Sequence, residues 1–201
     1  MDGADPKATP EEADTAAALR AHLGGALVAE QATGEAFPVL WVAPERWAEA
    51  HRFLRRDIDQ PFTLMGDLWG IDETARRHRA GQPDSGVTVA SHLISPERNA
   101  DIRLKLACDG DSPRAPSVTS VYPGANWYER EAFDMLGVRF DGHPGLRRIY
   151  MPNDWQGHPL RKSHHARATE MPPYRITAET FAETEAANTI RPKEHGMPTP
   201  R

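Results

Sequence analysis

The residues able to do chemistry crowd into one stretch of this chain. Glu129, Arg130, Glu131 and Asp134 stand within two helical turns of one another, and His143, Arg147 and Arg148 follow closely. Two acids on one helix are what a general acid and base would need, provided one carboxyl has a raised pKa. The abundant arginines argue for a different role. They would hold the acids ionised and bind them through the planar two-bond fork of guanidinium. The stretch then reads as a charge network that pins irregular segments to a helix, with no catalytic residue assigned. In that network Arg130 and Asp134 are expected to pair at i, i+4. Glu129 and Glu131 would look to Arg147, Arg148 and Arg161.

A pseudo-repeat adds to the pattern. Gly142-His143-Pro144-Gly145-Leu146-Arg147-Arg148 is echoed by Gly157-His158-Pro159-Leu160-Arg161-Lys162. Glycine permits a positive φ and proline fixes the next turn, so each copy predicts a rigid loop that presents a basic pair. The histidines fix their loops through a ring nitrogen, or bind a metal together with His164 and His165. The second reading lacks both zinc-type cysteines and a compact His-Glu-x-x-His spacing, so no metal ligand is assigned.

The remaining composition excludes several classes. A net charge of -5 is poorly suited to binding nucleic acid. The single cysteine, Cys108, can neither close an internal disulfide nor hold an iron–sulfur cluster, which takes four thiolates. Flanking Asp109 and Asp111 should raise its pKa and make it a poor nucleophile. No Gly-x-Gly-x-x-Gly, phosphate loop or Gly-x-Ser-x-Gly occurs. No apolar run approaches the roughly 20 residues of a membrane span. The acidic Met1-Asp2-Gly3-Ala4-Asp5-Pro6 lacks the basic and apolar regions of a signal peptide. A soluble chain is expected, held at any membrane by other proteins. Arg52, Arg55, Arg56 and the run Arg76-Arg77-His78-Arg79 read as solvated basic faces.

The elements that must position these residues follow from periodicity. Residues 1–10 read as a disordered N-terminus. Thr9-Pro10-Glu11-Glu12 predicts a helix start, and Gly24-Gly25 its end. Ala26–Gln31 and Pro38–Val42 read as strands joined by a turn at Gly34. Pro44 to Arg56 reads as a second helix, with Trp47, Ala50, Phe53 and Leu54 at helical spacing. Phe62–Ile71, Val87–Ile94 and Ile102–Leu106 read as strands, the last alternating apolar Ile102, Leu104 and Leu106 with Arg103 and Lys105. A third helix follows Pro123 and stops at Gly137, with Tyr128, Ala132, Met135 and Leu136 as its core face and Trp127, Arg130, Glu131 and Asp134 on another. The order predicts an α+β two-layer sandwich, a mixed and mostly antiparallel sheet with helices on one face. The domain should span 11–162. Residues 163–201, with Pro172-Pro173 and little periodicity, read as an extended tail that wraps a partner.

The stretch from Pro116 to Lys162 resembles the 30 kDa subunit of respiratory complex I, in its bacterial form. The resemblance rests on Pro116 to Pro123, Ala125 to Glu131, Asp134, Gly137, Gly142-His143-Pro144, Leu146 to Ile149 and Gly157 to Lys162. More weakly, it extends over roughly residues 12 to 165. It implies a structural subunit of the hydrophilic arm of a proton-translocating NADH:quinone oxidoreductase, peripheral on the cytoplasmic face of the cell membrane. Such a protein has no cofactor of its own, while the complex holds flavin, Fe-S clusters, NADH and quinone. The implied partners are the large quinone-site subunit, of the 49 kDa type, and neighbouring Fe-S subunits. Glu129, Arg130, Glu131, Asp134, His143, Arg147, Arg148, His158, Arg161 and Lys162 would then serve structure and docking. An equivalent subunit of a membrane-bound hydrogenase or ferredoxin-linked complex is the alternative.

Overall fold

The computed structural model describes residues 10–31, 37–75, 83, 85–108 and 110–164. The readings placed on residues 1–9, the Gly34 turn, Arg76–Arg79 and residues 165–201 lie outside these.

Helix α1 runs Pro10–Leu23 and ends where Gly24 takes φ +56, a conformation that costs glycine little. Strands β1 (Leu27–Gln31) and β2 (Val39–Val42) pair antiparallel. The expected second helix is interrupted twice. A 3-10 turn at Pro44–Arg46 leads into α2, Trp47–Arg52, and a π turn at Phe53–Asp57 closes the segment. Strands β3 (Leu64–Asp72), β4 (Val87–Ser95) and β5 (Ala100–Cys108) follow, then β6 (Arg114–Pro116), α3 (Ala125–Leu136) and β7 (Arg139–Asp141). The pairing of β6 with β7 is parallel and three residues long, too short to leave a periodic signal in the sequence.

The main sheet has the order β1-β2-β5-β4-β3. Only the β2–β5 pair is parallel, so the mixed, mostly antiparallel α+β sandwich is what forms. Strand β5 alternates as expected: Ala100, Ile102, Leu104, Leu106 and Cys108 are buried and the residues between them half-buried. Register places Ser91 opposite both Leu104 and Leu68, and Val89 opposite both Leu106 and Gly70. Helices α2 and α3 pack on this face. His51 of α2 meets Ser91, and α3 lies against Gly70, where a Cβ would come within 2.4 Å of Leu136 Cδ1. Glycine at that position lets helix and strand approach closely. Leu19 and Leu23 of α1 join the same core, with Trp47, Leu54, Phe62 and Val118. Burying side chains of this size is worth about 1.5–3 kcal/mol each.

His51 is fully buried. Its Nδ1 lies 2.8 Å from the Trp47 carbonyl and its Nε2 2.8 Å from Ser91 Oγ. The carbonyl can only accept, so Nδ1 carries the proton and Nε2 accepts from Ser91. That neutral tautomer fits the site, where burial pulls the His51 pKa down to about 4. Cys108 is buried too. The thiol is raised, as expected from sequence, to about 12, with burial the largest cause; Asp109, one of the two acids to which the sequence reading ascribes the rise, lies outside the described residues.

Candidate functional site: a charged helix that fastens the 147–164 run

Helix α3 begins after a turn in which Val121 and Tyr122 donate backbone N–H to the Val118 carbonyl. It ends at Gly137, φ +78, whose N–H returns to the Phe133 carbonyl. The last carbonyls of any helix lack partners inside it. Here the 147–164 run supplies them. His158 Nδ1 donates to the Asp134 carbonyl at 2.9 Å, the Leu160 N–H to Met135 at 2.9 Å, and the Arg161 guanidinium to Leu136. Arg161 also reaches the Gly110 carbonyl at 2.6 Å. The Lys162 N–H donates to Asp72 Oδ2 at 2.7 Å, while the Lys162 side chain stays exposed.

Asp134 is the hub. It is fully buried, and its Oδ2 accepts the backbone N–H groups of Ile149, Tyr150 and Met151 at 3.0, 2.8 and 2.9 Å. Its Oδ1 takes the Arg148 guanidinium at 2.6 Å. Burial works to raise this carboxyl, but the Met151 N–H, the Arg148 guanidinium and the N–H groups of Ile149 and Tyr150 outweigh it. The pKa is held below the ordinary carboxylate range. The remaining Arg148 donors go to the carbonyls of Trp155 and Gly157, both at 3.0 Å. The fork thus closes two turns at once, a geometry lysine cannot copy.

The i, i+4 pairing expected between Arg130 and Asp134 does not form. Arg130 turns instead to the Arg147 and Arg148 carbonyls, at 3.2 and 3.1 Å. Neither helix glutamate meets an arginine in the way expected. Glu129 is buried and accepts the Val118 N–H at 2.7 Å through Oε1, while among the described residues its Oε2 has no hydrogen-bond partner. Burial pushes its pKa up to about 7, against the pull of the Val118 and Ser117 hydrogen bonds. The raised value shows that burial, not a nearby guanidinium, dominates at Glu129. Glu131 is exposed and receives the Tyr150 hydroxyl at 3.4 Å. The side chain of Arg147 is exposed. Tyr128 and Met135, expected on the core face, are only partly buried against it.

Both Gly-His-Pro loops are tied through a histidine ring. His143 Nδ1 accepts the Gly145 N–H at 2.9 Å, and its Nε2 faces the Asn126 carbonyl at 3.3 Å. His158 caps α3 as above. Among the described residues no three His, Cys, Asp or Glu side chains converge as a metal site would require. No described helix is long and apolar enough to cross a membrane.

Sequence reasoning missed four participants. Val118 and Ser117 meet Glu129 through a turn with no periodic signature. Asp72 closes on Lys162 across 90 positions, a separation no local pattern reveals. His51 lies four residues from Trp47 on a helix read only for its apolar spacing.

Fold and cluster together define an α+β module in which one charged helix fastens an irregular C-terminal run. Residues 40–170 match the family model described as respiratory-chain NADH dehydrogenase, 30 Kd subunit. The C/D subunit of NADH-quinone oxidoreductase from Rhodopseudomonas palustris strain BisA53 is 57% identical over 183 residues, covering 91% of this chain and 32% of that protein. The protein of the same name from Cereibacter sphaeroides ATCC 17025 is 55% identical over 186 residues, with 92% and 31% covered. The chain thus spans about a third of the length of these curated relatives. Its fold is similar to that of a chain of an archaeal respiratory membrane complex, the membrane-bound sulfane sulfur reductase (TM-score 0.62, 21% identity, 83% of this chain and 92% of that one). The trypsin-resistant fragment of Nqo5 is a second match (TM-score 0.50, 23% identity, 67% and 98% covered). The chain belongs to the family of 30 kDa subunits of respiratory-chain NADH dehydrogenase.

Proposed function

We propose that this chain is a structural subunit of the hydrophilic arm of a proton-translocating NADH:quinone oxidoreductase. It holds no redox group itself and docks against the large quinone-site subunit and neighbouring Fe-S subunits. It sits on the cytoplasmic face of the membrane, held there by other proteins of the complex. Electrons pass from NADH through flavin and Fe-S centres to quinone in those partners. The observation that carries the reading is how the charged cluster is used. The Asp134 carboxylate and the Arg148 and Arg161 guanidiniums make their bonds largely to backbone carbonyls and N–H groups of this chain. Such bonds fix shape and leave little capacity for proton transfer. The lone buried thiol of Cys108 offers no set of thiolates for a cluster.

A mild-detergent pull-down of the tagged chain from native membranes, with mass spectrometry and an iron assay, tests this. Recovery of flavin, iron–sulfur and membrane subunits supports the reading. A nickel-containing partner would point to the hydrogenase-like complex. Recovery of the chain alone and loaded with metal would reject the structural role.

A further inference from the structure

Glu129 stands apart from the Asp134 hub, on the seam between α3 and the 117–122 turn. Its side chain is fully buried. One carboxylate oxygen accepts the Val118 N–H at 2.7 Å, and among the described residues the other has no hydrogen-bond partner. The charged and titratable groups around the seam are committed elsewhere. On α3, Arg130 bonds the Arg147 and Arg148 carbonyls, Asp134 binds Arg148, and Glu131 meets Tyr150. Arg114 of β6 pairs with Asp141 of β7. On the turn itself, the Tyr122 hydroxyl donates to the Phe62 carbonyl at 2.7 Å. Arg55 lies over the Tyr122 ring and bonds the Thr63 carbonyl. His51, whose ring centroid is 6.2 Å from that of Tyr122, is held neutral between Trp47 and Ser91.

An ionised carboxylate buried without a cation is costly, so such a group keeps its proton instead. That is the direction found for Glu129. The neutral carboxyl still accepts the Val118 N–H, and the seam stays closed. An ionised carboxyl needs water at its free oxygen, and water reaches it only if the turn lifts from the helix.

The turn has bonds of its own that survive such a movement. The Val118 carbonyl accepts the N–H groups of Val121 and Tyr122 at 2.9 and 2.8 Å, and Ser117 Oγ accepts the Thr119 N–H at 3.2 Å. Val118 and Tyr122 are buried in the core, so the lifted form is a minor one, and a proton at Glu129 sets how minor.

We propose that Glu129 is a proton-operated latch on the 117–122 turn: the protonated carboxyl holds the turn against α3, and loss of the proton makes the turn open far more often, loosening the Tyr122 tie to the head of β3. The proposal goes beyond the structural-subunit reading and does not depend on it.

The test is amide hydrogen exchange of the full chain, read by NMR from pH 5 to 7.5 with the intrinsic chemical rates divided out, on wild type and Glu129→Gln. The closed turn favours the protonated carboxyl. It is therefore most stable below the ordinary value of 4.5 and loses that stability as pH rises to about 7. The expected result in wild type is opening at the Val118, Val121 and Tyr122 amides that becomes about tenfold more frequent per pH unit between 5 and 6.5 and levels off near 7. The Leu104 and Leu106 amides of β5, released only with the whole fold, should not follow that slope, and in Glu129→Gln the turn amides should lose it. The latch is overturned if the turn amides share the β5 profile, show no slope, or keep their slope in Glu129→Gln. Titration of the Glu129 carboxyl by its ¹³C resonance in wild type decides the matter even if the variant does not fold. A midpoint near 7 is expected, and one near 4.5 overturns the latch.

Discussion

Arg148 binds the side chain of Asp134 at 2.6 Å while its other nitrogen holds the carbonyls of Trp155 and Gly157. One arginine thereby joins a buried helix carboxylate to two turns of a run with no regular structure. Irregular backbone loses about 1–2 kcal/mol of conformational entropy per residue when ordered, and the 147–164 run has few apolar anchors to offset that. The Asp134–Arg148 pair supplies the missing constraint.

Removing one member of such a pair strands the other. Asp134→Ala should destabilise the folded chain by about 3–5 kcal/mol, read by chemical denaturation. Limited proteolysis of the same variant should cut first within 147–164. Arg148→Lys keeps the charge but loses the fork, and is expected to fall between wild type and Asp134→Ala. Because the folded Asp134 carboxyl lies below its ordinary value of 3.8, its contribution is fully present above that pH. It is lost only as pH falls through the lowered folded value.

Gly137 ends α3 with φ +78, and a Cβ there would come within 2.6 Å of His158 Nε2. Gly137→Ala combines a left-handed backbone with a clash against the ring that caps the helix. A loss of more than about 1 kcal/mol in unfolding free energy is expected, together with a shifted His158 ring resonance in the NMR spectrum. An unchanged His158 environment would count against the capping role.

Two buried groups should give opposite pH dependences. His51 titrates near 4 when folded against 6.5 ordinarily. Stability is therefore unaffected above 6.5 and falls as pH drops from 6.5 to 4, where the unfolded chain takes the proton first. Glu129 titrates near 7 when folded against 4.5 ordinarily. Stability is unaffected below 4.5 and falls as pH rises from 4.5 to 7, where the unfolded chain releases its proton first. Each gap is worth about 3 kcal/mol, so between 4.5 and 6.5 the two slopes nearly cancel. Subtracting the Glu129→Gln stability profile from that of wild type should expose a decline from pH 4.5 to 7. The same subtraction with His51→Gln should expose a rise from pH 4 to 6.5.

The sheet and the ends of its helices were legible in the sequence because their signals are local. Ile102, Leu104 and Leu106 alternate, and Gly24 and Gly137 stop helices by a conformation few other residues adopt. The cluster was legible as a cluster but not in its pairings. The i, i+4 rule joins Arg130 to Asp134 on an isolated helix, yet the 147–164 run packs against that same face. It offers Asp134 three N–H groups and a guanidinium, and offers Arg130 two carbonyls. Glu129 was matched to the arginines and not to its actual partner, since Val118 comes from a turn without periodicity. The π turn after α2 was hidden because Phe53 and Leu54 satisfy an ordinary helical spacing equally well.

The measurement closest to the central claim compares assembly with turnover. In membranes from cells carrying Glu131→Ala or Asp134→Asn, the abundance of assembled complex is read by native gel, and NADH:quinone turnover is normalised to that abundance. If these residues hold shape and dock, abundance falls while turnover per assembled complex stays at the wild-type value. Normal abundance with lost turnover would place these side chains in the reaction itself and contradict the account.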